Sequence, residues 1–332
     1  MALAALGVVS TVRAQDDDFW GRFSLGERSA FNISASFSGV GGFTAPGVSG
    51  TGVQSYNDGY VADVNSPTVL HTADWGYDNA SQITSQLPGG DVVMRSSSSQ
   101  AVSAGDAGNG AQSGMELAYT QPLVAGKFWH LGWDAAFDWT GIHIQDSRPM
   151  SGDVVTTAQI FALGAVFPPN APYSGSGLPG QPLLSTTAIP DPSGDSTQIG
   201  AASITGTRKI DADLFGVKLG PSLEFPLGKY FSIGLGGGFA FGVIDSEFSY
   251  DETVTVAGLG TQTHAASGHT DGWVSGGYAR AQANLHLDKR VSLFSGVEFD
   301  DLGVFNQTVG GETAHLDLSR TVYVTGGISI NF

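Results

Sequence analysis

The sequence predicts an all-β chain folded as a transmembrane, antiparallel, up-and-down β-barrel of about ten strands, with eight and twelve as the alternatives. Three observations lead there. Long segments alternate strictly between apolar and polar residues, the signature of strands with two unlike faces. Only 14% of the 332 residues are charged and 48 are glycine, against about 25% charged in ordinary soluble domains. Finally, the connections between strong strands are short at one end and long at the other.

The first twenty residues read "MALAALGVVSTVRAQDDDFW". Small apolar residues followed by Val12-Arg13-Ala14 read as the remnant of an export signal over 1–14. Residues 15–27 are then expected as a periplasmic N-terminal segment, and 28–332 as a single barrel. In the first strand, 28–43, Phe31, Ile33, Ala35 and Phe37 alternate with Asn32, Ser34, Ser36 and Ser38. Strands at 53–64 and 68–80 are shorter and more polar. After a polar excursion over 81–111 come 111–123 and 126–145. The second of these puts Trp129, Leu131, Trp133, Phe137 and Trp139 on one face and His130, Asp134 and Asp138 on the other.

A long Pro/Gly-rich loop spans about 146–205 and includes "FPPNAPYSGSGLPGQP". Beyond it lie strands 204–226, 228–250, 267–288, 290–305 and 312–332. Phe215, Val217, Leu219, Leu223 and Phe225 oppose Gly216, Lys218, Gly220, Ser222 and Glu224. Phe231, Ile233, Leu235, Phe239, Phe241 and Val243 oppose a row of Gly, Ser and Ala. Short turns at 122–127, 226–230 and 287–290 contrast with long excursions at 81–111, 146–205, 250–268 and 305–313.

The apolar face could line a protein interior or meet lipid. The polar faces decide it: they are mostly Gly, Ser, Ala, Asn and Thr, whereas a soluble surface carries about 25–35% Lys, Arg, Glu and Asp. Two strands approach twenty residues, where soluble strands average about five or six. Aromatics gather at strand ends, as in the girdles of transmembrane barrels. Trp129, Trp133, Phe137, Trp139, Phe231, Phe239 and Phe241 are therefore expected to face lipid. No window offers the roughly 18 apolar residues of a membrane helix. The formal net charge of −17 argues against a nucleic-acid partner.

The chain ends "TGGISINF". Thr325, Gly327, Ile330 and Phe332 resemble the C-terminal assembly signal of the bacterial, Gram-negative type, outer-membrane β-barrel superfamily, with Ile330 where an aromatic is common. The resemblance implies export to the outer membrane and insertion by the barrel assembly machinery, through strand addition at an exposed edge.

About ten strands leave a narrow lumen. Its charges are expected to be Glu116, Asp134, Asp138, Lys218, Glu224, Arg280, Glu298, Asp300 and Arg320, with Lys218, Arg280 and Arg320 paired to carboxylates because burying lone charges is costly. The expected role is structural, or passage of small solutes beside this polar plug. Binding or adhesion through the long loops is the first alternative. A rim hydrolase is the second, drawing on His143, Asp146, Asp245, Asp251, His264, His269, Asp271, Glu312 and His315; His269 and Asp271 share a strand face and form the best pair. No catalytic residue, metal or cofactor is assigned. The chain has no cysteine, hence no disulfide framework or thiolate metal site. "GLGGGFAFG" lies inside an alternating strand and opens no helix, so it is not a dinucleotide fingerprint.

Overall fold

Eight of the alternating segments pair in sequence order as an antiparallel ring of strands, the last pairing with the first. They are β1 (Arg22–Phe31), β2 (Gln112–Ala125), β3 (His130–Asp146), β4 (Gln198–Pro226), β5 (Phe231–Val256), β6 (Gly260–His286), β7 (Val291–Asp301) and β8 (Thr321–Asn331). β8 returns to pair with β1, Ile330 opposite Phe23 and Val322 opposite Phe31, and β3 pairs with β4 from His130–Glu224 to Asp146–Arg208. The other pairs complete the circle. The computed structural model describes residues 21–44, 48–49, 52–99, 102–108, 110–189 and 198–332. The export-signal reading over 1–14 lies outside them. No helix among the described residues is long and apolar enough to cross a membrane.

The ring is asymmetric. β4, β5 and β6 run unbroken for 29, 26 and 27 residues. β1, β2, β7 and β8 are shorter, and each is continued beyond a break by a further strand: Ser34–Val40, Val102–Ala107, Val304–Val309 and Glu312–Asp317. The breaks have local causes. Asn32 has φ +62° and Gly303 φ +76°, left-handed values that Asn and Gly tolerate and that interrupt a ladder. Backbone bonds from Leu302 N to Leu318 O (3.2 Å) and from Leu318 N to Gly303 O (2.9 Å) tie two breaks together.

Beyond the breaks these four strands form their own sheet, which packs against the inner faces of the long strands. Phe37 stacks on Phe248 with ring centroids 5.7 Å apart. Ile33, Ile142, Ile144, Ile210, Leu214, Ile244, Val254 and Leu316 complete a buried apolar core. Each large side chain here contributes roughly 1.5–3 kcal/mol by leaving water. The far half of the ring is thus filled like a sandwich.

These facts revise several expectations. Eight strands pair around the ring, the lower of the expected alternatives to ten, because 53–64 and 68–80 form short strands of a side sheet (Val53–Tyr56, Gly59–Ala62, Trp75–Tyr77). Arg22–Glu27, expected in a segment before the barrel, belong to β1. Segments 28–43, 290–305 and 312–332, each read as one strand, are split by the breaks. The 146–205 excursion contains strands Met150–Leu163 and Leu184–Ile189 and frames a second core of Tyr56, Trp75, Tyr77, Phe161 and Leu184. Its Trp75 Nε1 donates to the Pro182 carbonyl at 2.9 Å.

Outside the ring, polarity changes sharply. The register places Trp139, Phe215, Val243 and Trp273 side by side on β3 to β6. All four point outward, and Trp273 is 85% exposed. Toward the short turns the outward residues are Phe137, Val217, Leu219, Phe239, Phe241, Leu235, Ile233 and Phe231, all exposed. One row the other way, Gly141, Asp213, Asp245 and Asp271 align, followed by His143, Asp211, Glu247 and His269. The interior inverts across the same boundary: Asp138 and Lys218 lie below it, and Ile142, Ala212 and Ile244 above. Glu27 on β1 is an exception, an outward carboxylate beside Leu25.

Candidate functional site

An eight-stranded ring is just wide enough for its own side chains, so every inward charge in the lower half must find a partner there. β1 contributes Arg28, β2 Glu116, β3 Asp134 and Asp138, β4 Lys218, β6 Arg280, and β7 Glu298 and Asp300. All eight are buried or nearly so. Alternation on each strand delivers them to one axis, and small neighbours make room. A β-carbon on Gly216 would collide with the Asp138 carboxylate.

Arg28 is the hub. It lies 3.1 Å from Asp138, 3.2 Å from Glu298 and 3.6 Å from Glu116, and its guanidinium sits 3.3 Å from the centroid of the Tyr323 ring, a cation–π arrangement. Lys218 reaches Asp300 at 2.8 Å and Asp138 at 3.3 Å, and donates to Glu298. Arg280 reaches Asp134 at 2.5 Å and Glu116 at 3.6 Å. Three cations therefore serve five carboxylates in one connected network. A cavity of about 10 Å³ beside Glu116, Arg280 and Thr325 has room for about one water molecule.

Seven of the nine charges expected in the lumen join this network. Glu224 points inward but pairs near the short turns with Arg22 at 3.1 Å, and accepts from Ser232. Arg320 does not join: it is exposed in the turn between Glu312–Asp317 and β8, because the break there removes it from the inward row. Arg22 lies before the expected strand 28–43 and Arg28 is its first residue, so neither is among the expected lumen charges. The inward alternation Arg22, Ser24, Gly26, Arg28 was the available signal.

In the far half, fully buried Arg208 of β4 lies against Glu252 of β5, and Glu312 completes the group. Burial, reinforced by the nearby Glu252 charge, pushes the Glu312 carboxyl up to about 8. Asp146 is held below the usual carboxylate range chiefly by hydrogen bonds from Arg148.

The remaining rim candidates scatter. His315 bonds Asn306 (2.6 Å) and Ser38 (2.9 Å), His264 is half-buried on β6, and Asp251 faces outward. His269 does meet Asp271 (3.5 Å) and also Asp245 (3.0 Å). His143 bonds Asp211 beside them. His143, Asp211, Asp213, Asp245, Glu247 and His269 line a shallow cavity of about 340 Å³. This group is on the outer wall and open to solvent, without the desolvation that tunes a general base.

Of the outward aromatics, Phe137, Phe231, Phe239 and Phe241 are exposed, Trp129 is exposed at a short turn, and Trp133 and Trp139 are partly covered by neighbours. Trp139 Nε1 donates to Asp213 at 2.8 Å, so its polar edge turns toward the charged row. Phe332 stacks on Phe23, centroids 5.3 Å apart, and Ile330 also points outward, while Thr325 and Gly327 face the interior.

No family model and no curated protein matches the chain. Among solved structures, it is similar to Ail, the attachment invasion locus protein of Yersinia pestis, at 9% identity, covering 94% of this chain and 99% of that one, with a TM-score of 0.29. The outer membrane protease OmpT from Escherichia coli is similar at 8% identity, with 97% and 99% covered and a TM-score of 0.34. The outer membrane protein OprG from Pseudomonas aeruginosa is similar at 10% identity, with 95% and 97% covered and a TM-score of 0.32.

Proposed function

We propose that the chain is an outer-membrane β-barrel whose sealed interior anchors and presents the β-structure of its far half at the cell surface. The observation that carries this reading is the double inversion of polarity along continuous strands. Below the boundary the apolar residues face outward and the charges inward; above it the arrangement reverses. Water on both sides would not stabilise the lower half, because a contiguous apolar surface of that size is costly to hydrate. On β4 the outward apolar run Phe215–Phe225 covers about 11 residues, the length a tilted strand needs to cross a bilayer. Orientation follows from the ends: short turns on the periplasmic side, long connections outside.

The packed interior favours anchoring over solute passage. A solute would have to cross the Arg28–Lys218–Arg280 network and then the Phe37–Phe248 core. Purified protein in a planar bilayer, with insertion verified by protease protection of the membrane part, is expected to carry no steady current. Steady nanosiemens conductance would contradict the sealed interior. The ordered side sheet around Trp75, with Leu70, Phe167 and Leu178 exposed nearby in the chain's long connections, is the part offered to the outside, which supports surface binding as the purpose of presentation.

A further inference from the structure

The protein is strongly acidic, yet the described residues of its three short turns are mostly basic. Among the described residues, the three short turns carry Lys127, Lys229, Lys289 and Arg290, all exposed. Asp288 is the carboxylate in these turns, and it is occupied: its Oδ1 accepts from the Arg290 and Val291 backbone N–H groups, both at 2.7 Å. Backbone bonds link two of these turns to their neighbours along the rim. His286 N donates to the Tyr230 carbonyl at 2.8 Å, and Asn331 N to the Arg290 carbonyl at 2.7 Å. Two ammonium groups are held beside exposed rings, Lys127 at 5.2 Å from Phe128 and Lys229 at 5.3 Å from Tyr230. This rim continues directly into the outward apolar band through Phe231, Leu285 and Leu293. The opposite end of the outer wall is acidic, with Asp211, Asp213, Asp245, Glu247 and Asp271 outward.

We propose that this rim docks on the phosphate headgroups of anionic phospholipid, the Lys and Arg side chains pairing with phosphate while Phe128 and Tyr230 sit at headgroup depth. The inference rests on the membrane reading. Charge complementarity and continuity with the lipid-facing band select a lipid surface as the occupant, since the chain itself offers acid at the other end. An aromatic flanked by a cation suits the headgroup zone, where one side is apolar and the other wet.

The test compares refolding into vesicles of neutral phosphatidylcholine with vesicles in which about a third of the lipid is phosphatidylglycerol, each exposed cation near an anionic surface adding about fivefold to partitioning. Wild-type protein should enter both, with binding to the anionic vesicles at least roughly tenfold tighter at low salt. The variant K127Q/K229Q/K289Q/R290Q should still enter neutral vesicles but lose that preference. An R95Q/K209Q control at the far end should keep it. An equal preference in the quadruple variant would overturn the proposal, as would loss of it on adding free glycerol phosphate, which would mark the ligand as a soluble phosphate. Failure of wild-type protein to enter either vesicle would overturn the membrane reading instead.

Discussion

Replacing Arg28 with alanine is expected to cost about 3–5 kcal/mol of folding free energy, the penalty of leaving buried charge without its partner. Arg28 is 1% exposed and within 3.6 Å of Glu116, Asp138 and Glu298. Its removal leaves five carboxylates to two cations, with Asp134, Asp138, Glu298 and Asp300 each under 5% exposed. The asymmetry predicts the opposite for acid: Glu116→Gln, which removes one of the excess charges at constant shape, should change stability by no more than about 1 kcal/mol. Urea titrations of both variants in vesicles, followed by tryptophan fluorescence, measure the difference. Equal costs for the two would show that charge balance does not hold this interior together.

Leu219→Arg should be nearly as damaging, for a reason that lies on the other side of the wall. Leu219 is 56% exposed, pairs with Phe239 and lies in the middle of the outward band. A charge there costs about 2–4 kcal/mol at the midplane of a bilayer. Glu247→Arg, outward on β5 beyond the boundary, should fall within about 1 kcal/mol of wild type. Exposure alone predicts no such contrast, since exposed substitutions in water usually lie within about 0.5 kcal/mol.

The outward band was legible because a period of two needs no tertiary information. Phe215, Val217 and Leu219 against Gly216, Lys218 and Gly220 already separate the two faces, and the inward positions of Asp134, Asp138, Lys218, Glu298 and Asp300 follow from that parity. What the period cannot convey is where a strand stops being part of the ring. Alternation runs on through Ile33, Ala35 and Phe37 after Asn32 and through Phe305 after Gly303, so strands that leave the ring to form an inner sheet read as simple continuations. The inversion of polarity was present in the sequence at Phe215 and Asp213, on the same face of β4. It becomes readable only when β3, β5 and β6 are seen to change at adjacent positions. Arg28's role depended on the start of β1, and element ends are set by pairing with β8 and β2 rather than by local propensity.

The central claim is that hydrocarbon meets the outward face below the boundary and water meets it above. The chain has no cysteine, so single substitutions report cleanly. With the protein in vesicles, Cys at Val217, Leu219, Phe239 and Phe241 should resist a membrane-impermeant maleimide, while Cys at Asp211, Glu247 and His269 should label readily. Full labelling of the 217, 219, 239 and 241 positions in vesicles would contradict the account.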